Sequence, residues 1–373
     1  MKLLMLSDAA SIHTRRWVSS LSARGCDILL FSLLRSDLSA YAGIPHVQVY
    51  SCDFYIDERS RRSQRLFDKL VYIRALSRLH RAIRCYRPDV IHAHYASSYG
   101  LLAALSGFHP FLLSVWGSDV YRYPQSGRLG EWLLRFTLRR ADRILSTSQC
   151  MARQTNLYTS KPVFVTPFGV DMQRFTPLQP GAKTARFVVG NVKSLAGIYG
   201  IDTLIRAFAL LCRRNVSLDP RLIIVGEGPD REALEQLCKD LQIDRQVEFL
   251  GYIPNEQLPS LYSMFDVAVS LSREESFGVV AVEAMACQCP VVTSDAEGFR
   301  EVVVDGETGY IVPKDNPEIA AQAIQRFIDD PSLRRSMGES GRRHVARHYD
   351  WQSNVDTMVR HYAAFASCPM GSE

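Results

Sequence analysis

Glu275 and Glu283 lie eight residues apart in the run Ser272-Arg-Glu-Glu-Ser-Phe-Gly-Val-Val-Ala-Val-Glu-Ala-Met-Ala286. Asp266–Leu271 before it reads as a buried strand, and the apolar residues after Gly278 read as a helix. Eight residues is a little over two helical turns, so a loop glutamate and a helix glutamate would point the same way. Open α/β sheets bind ligands at the carboxyl ends of their strands. A carboxylate only accepts hydrogen bonds, which suits a partner rich in hydroxyls such as a ribose or a hexose. The plain alternative is a pair of solvated helix charges. Gly190-Asn191-Val-Lys193 offers complementary chemistry, since a glycine lets backbone approach a phosphate and a lysine is a mobile point charge. A solvated loop lysine is the alternative there. Gly226 and Gly228 follow the strand Arg221–Val225 and would also admit a ligand closely.

Elements must bring these residues together. Lys2–Leu6, Asp27–Ser32, Asp89–Ala93, Phe111–Val115 and Arg143–Thr147 read as strands, with helices over Arg15–Arg24, Arg65–Cys85 and Leu101–Leu105. After Phe175-Thr-Pro-Leu-Gln-Pro-Gly181, which reads as a linker, the pattern begins again. Strands are expected at Phe187–Gly190, Arg221–Val225, Val247–Leu250 and Cys289–Ser294, and helices at Asp202–Cys212 and Asp230–Leu241. Short apolar runs separated by helical patterns mean parallel, doubly wound sheets. The fold class expected is therefore α/β, with two Rossmann-like domains in tandem. Residues 1–172 and 173–350 form the domains, and 351–373 form a last helix.

At 373 residues the chain is too long for one ordinary core. Its composition, 47% hydrophobic and 22% charged, is that of a soluble globular protein. Nine scattered cysteines fit a reduced, cytoplasmic compartment, and the short apolar start reads as a first strand, not a signal peptide. Val90–Ser118 holds no Asp, Glu, Lys or Arg, yet its apolar runs are broken by histidines, serines and Pro110, so a buried strand–helix–strand is expected over a membrane span.

Glu-x7-Glu within E-S-F-G-x4-E-A-M-A-C-x-C-P-V-V-T-S resembles the signature of the family 4 retaining glycosyltransferases, and the resemblance covers most of the chain, strongest from about 185 to 315. It implies the GT-B architecture, with the site in a cleft between the domains and the last helix crossing back to the first. It implies a nucleotide diphosphate sugar as co-substrate, with Glu283 on the ribose and Glu275 on the sugar. The amides around Ser276, Phe277, Gly278 and Val279 would face the sugar and diphosphate, as a helix start can. Gly251-Tyr252-Ile253-Pro254 resembles the base-binding turn, or is a plain strand-to-helix turn. The family's G-R-x-x-x-x-K-G-I-D pattern is only partly kept: Asn191, Ile198 and Tyr199 stand where basic residues are expected. Lys193 is then the phosphate ligand, and Arg273 is a candidate second cation. Trp116-Gly-Ser-Asp119 resembles the family's H-G-x-D, with Asp119 either orienting sugar or acceptor or capping structure. His13 opens the first helix and serves acceptor or phosphate, or only a structural contact. No Asp-x-Asp is present, so leaving-group stabilisation without a metal cofactor is the consistent mechanism.

Residues 1–180 hold 24 Lys+Arg against 12 Asp+Glu, and residues 181–373 hold 20 against 27. Ten of those basic residues fall in 59–87 (Arg59, Arg61, Arg62, Arg65, Lys69, Arg74, Arg78, Arg81, Arg84 and Arg87), interleaved with an apolar side. A basic amphipathic helix suits an anionic membrane surface. Nucleic acid is the rival partner, without a recognition motif, and a solvated helix is the third reading. A lipid-linked glycan acceptor follows from family habit and this basic half. A soluble acceptor, an epimerase of the same architecture and a non-catalytic membrane-bound module are the alternatives.

Overall fold

The computed structural model describes residues 1–54, 67–177 and 186–366, with the side chains of 67–71 and 366 left aside. Of the expected linker only residues 175–177 fall within it. The chain divides into two compact units, Met1–Pro167 together with Ser353 onward, and Phe168–Gln352.

The first unit is built on strands β1 (Lys2–Leu6), β2 (Asp27–Leu34), β3 (Val47–Phe54), β4 (Val90–His94), β5 (Phe111–Val115), β6 (Arg143–Ser146) and β7 (Val163–Val165). All pairings are parallel, in the order β3-β2-β1-β4-β5-β6-β7. A parallel sheet covered on both faces needs continuous apolar strands. Leu3–Leu6, Ile28–Phe31 and Phe111–Leu113 are all buried accordingly. The edge strands β3 and β7 had no expected counterpart. Their burial is partial, and β3 mixes Gln48, Ser51 and Asp53 into its apolar run. Helices α1 (Ile12–Ser22), α2 (Phe67–Tyr86), α3 (Gly100–Ser106), α4 (Ser118–Tyr121), α5 (Arg128–Arg140) and α6 (Gln149–Asn156) make the connections.

The second unit repeats the design with β8 (Val188–Val192), β9 (Arg221–Val225), β10 (Val247–Gly251), β11 (Val267–Ser270), β12 (Val291–Ser294) and β13 (Gly309–Val312). They are parallel in the order β10-β9-β8-β11-β12-β13. Its helices are α7 (Ile201–Arg214), α8 (Arg231–Asp240), α9 (Leu258–Met264), α10 (Val279–Ala286), α11 (Glu297–Val302), α12 (Pro317–Asp329) and α13 (Pro331–His348). Helix α10 is apolar on every side except Glu283, and Ala281–Ala286 are buried throughout.

The last helix, α14 (Trp351–Ala366), buries Val355, Met358 and Tyr362, a stripe at helical spacing. Tyr362 Oη lies 2.6 Å from His92 Nδ1 on β4, and Asp356 pairs with Arg24 at 2.9 Å. Residues after Gln352 thus belong to the first unit. Among the described residues no helix is long and apolar enough to cross a membrane; Val90–Ser118 is the strand–helix–strand β4-α3-β5.

In both sheets the chain runs outward from its first strand in one direction and then reverses. The reversals fall between β1 and β4 and between β8 and β11. Crevices at such points, beyond the carboxyl ends of the strands, are where this architecture takes ligands.

Candidate functional site

Loops leaving β8 and β11 carry Lys193 and Glu275, so both flank the reversal point of the second sheet. Lys193 Nζ lies 2.6 Å from Glu275 Oε2, and the side chains are only 15% and 11% exposed. The Tyr199 ring lies under the same ammonium, its centroid 4.8 Å away. A charged pair this sheltered is a stronger contact than a surface ion pair, and it keeps a cation and an acceptor side by side.

Close backbone contacts fix where Lys193 starts. Its N–H bonds to Val225 O at 2.9 Å, and the Leu195 N–H bonds to Glu227 O at 3.0 Å. Gly226, at φ +135°, is so near that an added Cβ would meet Lys193 O at 2.0 Å; at Gly228 it would meet Leu195 O at 2.2 Å. These glycines admit the 193–195 segment of the chain on the side where a Cβ would stand. Gly190 is closely packed in the same way. It sits inside β8, and the Phe265 ring fills the space its side chain would need, 2.0 Å from an ideal Cβ. Asn191, also inside β8, is buried and donates to Val269 O on β11 at 2.7 Å, a cross-strand tie. Its Oδ1 has no hydrogen-bond partner among the described residues.

Glu283 is 7% exposed on α10. Tyr262 Oη donates to its Oε2 at 3.1 Å and Asn255 Nδ2 to its Oε1 at 3.2 Å. Burial first, then the Glu283 charge, raise the Tyr262 hydroxyl well above its ordinary range, so it remains a donor. Asn255 closes the turn that follows Gly251, and Gly251 O accepts from Gly226 N at 2.8 Å. The expected base-binding turn is therefore tied both to the glycine loop and to Glu283. Within it Tyr252 is 63% exposed and Ile253 half-buried. Neither Asn255 nor Tyr262 was singled out from the sequence, because no local pattern marks a partner 21 or 28 residues from its carboxylate.

Gly278 caps α10 at φ +98°. An added Cβ there would press on Phe299 at 2.8 Å, and Gly298 N–H holds Glu275 O at 3.0 Å, so the loop before α10 is braced by α11. The Phe277 side chain is core, edge-on to Phe168 and Tyr349. Only its backbone remains to meet a ligand, with that of half-buried Ser276 and Val279. A helix start leaves its first N–H groups without intrahelical acceptors.

Arg273 is not a spare cation. Its guanidinium forks onto Asp202 at 2.8 and 3.1 Å, reaches Asp315 at 2.7 Å through Nε, and also donates to Gly197 O. Those contacts tie the loop after β8, the start of α7 and the end of β13 together, and they consume its planar donor fork.

At the reversal point of the first sheet, the buried Ser7 hydroxyl lies 2.8 Å from His94 Nδ1 and 2.7 Å from Thr14 Oγ1. The His94 ring lies 4.2 Å from that of Trp116, and His13 and Tyr95 flank the same indole at 5.9 and 5.5 Å. Burial, helped by Arg16, lowers His13 to about 4, so its imidazole is neutral at pH 7. Asp119 makes the contacts of the structural cap that was one of its two expected roles. It is 1% exposed, and its carboxylate accepts N–H bonds from Ala96 at 2.8 Å, Gly117 at 2.8 Å and Trp116 at 3.2 Å. It caps the loop after β5 and holds it to the turn after β4. Burial pushes its pKa up while these N–H groups pull it down.

On α2 Arg74 and Arg81 are exposed, but Arg78 turns back. It donates to Cys52 O at 2.6 Å and lies over the Phe54 ring, so it serves the β3 edge and not an outward face. Arg59, Arg61, Arg62 and Arg65, and the Lys69 side chain, lie outside the described residues. Among the described residues no group of three or more His, Cys, Asp or Glu is placed to hold a metal ion.

Both units resemble known proteins. Residues 173–344 match the family described as "Glycosyl transferases group 1", and residues 2–148 match "Glycosyl transferase 4-like". The D-inositol 3-phosphate glycosyltransferase of Kribbella flavida is 30% identical over 303 residues, 74% of this chain and 70% of that protein. The protein of the same description from Corynebacterium urealyticum is 34% identical over 220 residues, 55% of this chain; the match spans about half (51%) of that relative's length. Among solved structures, Anabaena Alr3699/HepE in complex with UDP and glucose superimposes with a TM-score of 0.79 at 18% identity, covering 98% of this chain and 100% of that one. That structural likeness speaks for the fold alone, two Rossmann-like α/β domains of the GT-B kind. The family rests on the sequence matches: the chain belongs to the family 4-type glycosyltransferases.

Proposed function

We propose that this protein transfers a sugar from a nucleoside diphosphate sugar to an acceptor hydroxyl with retention and without a metal cofactor. The observation that carries the reading is the sheltered Lys193–Glu275 pair beside the reversal point, with Glu283 held in the same signature. Lys193 and the α10 amides stabilise the charge that develops on the departing diphosphate. Glu275, adjacent to that ammonium, takes sugar hydroxyls, and Glu283 takes the ribose. The acceptor hydroxyl attacks from the leaving-group side, and a donor phosphate oxygen accepts its proton.

The relatives are named for an acceptor that is a small phosphorylated polyol, which supports a small soluble acceptor here. A lipid-linked glycan is the second reading. It is favoured by the exposed Arg74, Arg81 and Arg84 of α2, which suit a peripheral position on the anionic inner face of a membrane.

The test is an assay in chelating buffer with a panel of nucleoside diphosphate sugars and inositol phosphate. Lys193→Ala is expected to lower kcat by about 10²–10³. Glu283→Ala is expected to raise the donor KM by about 10- to 100-fold, the worth of a hydrogen bond to a charged group. Unchanged donor affinity in Glu283→Ala, or activity that returns only with a divalent ion, would sink the reading. Conversion of the donor with no acceptor would make the protein an epimerase.

A further inference from the structure

Position 199 holds an aromatic ring, six residues beyond Lys193. The candidate second cation, Arg273, is committed to Asp202, Asp315 and Gly197. What stands beside Lys193 is the face of Tyr199, 4.8 Å from its Nζ, with Glu275 2.6 Å away. An ammonium is attracted to the negative face of an aromatic ring, more so where water is scarce. We propose that Tyr199 is a positioning residue for Lys193: its ring holds the ammonium in place of a second cation, so that Lys193 meets the donor diphosphate from a fixed seat. The proposal rests on the reading of Lys193 as the diphosphate ligand.

The local structure supports a ring held for this purpose. Gly197–Tyr199 forms a tight 3-10 turn, with Tyr199 N–H bonded to Ala196 O at 2.9 Å. Arg273 pins the turn twice, its own N–H on Ile198 O at 2.8 Å and its guanidinium on Gly197 O. Gly200 follows at φ +62°, and an added Cβ would strike Leu271 O at 2.1 Å. The ring packs against the hydrophobic core of the second unit. So the strut role of Arg273 and the seat role of Tyr199 are parts of one device.

Donor counting shows why a ring suits this place. A lysine ammonium has three N–H donors and no acceptor. The ring face stabilises the charge without spending a directed donor, and Glu275 spends one. Two N–H groups remain for phosphate oxygens. A lysine at 199 would instead set two cations against one carboxylate.

The experiment replaces Tyr199 with Phe, with Leu, and with phenylalanines carrying one, two, three and five ring fluorines, which drain the ring's negative face while keeping its shape. Inorganic pyrophosphate is the probe, measured by calorimetry, and the ring-current shift of the Lys193 ε-methylene protons reports the seat. Phe is expected to bind pyrophosphate within about twofold of the parent, and affinity is expected to fall stepwise with fluorination, by about tenfold across the series. Leu is expected to abolish the ring-current shift and to lose affinity likewise. A flat fluorine series, with Lys193→Ala still losing pyrophosphate, would overturn the Tyr199 proposal and leave the donor reading intact. A graded series with Lys193→Ala binding as well as the parent would overturn both the seat's purpose and the donor reading.

Discussion

Gly226 reads as a place for close approach, and in the structure Lys193 O takes the room its missing Cβ leaves. A sequence shows that a Cβ is missing but not which atoms occupy the room it leaves. Gly190, filled by Phe265, and Gly228, filled by Leu195 O, make the same point. Glu283 stands out in the sequence as the one charge in an apolar helix, whereas its donors, Asn255 and Tyr262, and the Lys193 that pairs with Glu275 come from other elements. Gly226→Ala is expected to push Lys193 from Glu275 and to strain φ +135°. It should destabilise the second unit by about 2–4 kcal/mol, comparable to other core clashes and strained backbones. Chemical denaturation and pyrophosphate binding should fall together; a variant that melts normally but binds poorly would mean that the contact is not structural.

Elements buried on both faces were the easiest to place, since β1, β2 and β5 each carry three or four consecutive buried apolar residues. The edge strand β3 was missed because a half-exposed strand carries polar residues among its apolar ones, and its partner contact, Tyr50 stacked on Phe31 at 5.5 Å, is invisible to local pattern. Asp119 lies on such a boundary. At the start of α4 it reads either as a ligand-binding aspartate or as a cap, and three loop amides bond to it. Asp119→Asn keeps the shape but presents an amide to N–H donors. The expected cost is about 1–3 kcal/mol, the desolvation of buried groups left unpaired. Hydrogen exchange at Ala96, Trp116 and Gly117 should quicken while donor KM stays the same. A raised donor KM with unchanged exchange would restore Asp119 to a ligand role.

At the scale of the whole molecule, the chain forms two units with separate cores, and the first buries several histidines. In the first unit burial lowers His92 to about 3, His13 and His361 to about 4, and His94 well below its ordinary value. Below pH 6.5 the unfolded chain takes up protons that this unit refuses, so stability falls as pH drops from about 6.5 towards 4. Each such histidine adds a slope of up to about 1.4 kcal/mol per pH unit within that window. Melting followed through first-unit peptides should fall steadily from pH 7 to pH 5. An unchanged midpoint over that range would show that these imidazoles are protonated in place.

The bond between Tyr362 and His92 joins residues separated by 270 positions. During synthesis, β4 emerges from the ribosome long before α14 does, and every residue of the second unit is made in between. The opening half of the message therefore encodes a body whose cover arrives last, while the middle of the message encodes one that can close without waiting. A nascent chain halted after Gln352 would carry every residue of the second unit and a first unit still without the Val355, Met358 and Tyr362 side chains that pack into it.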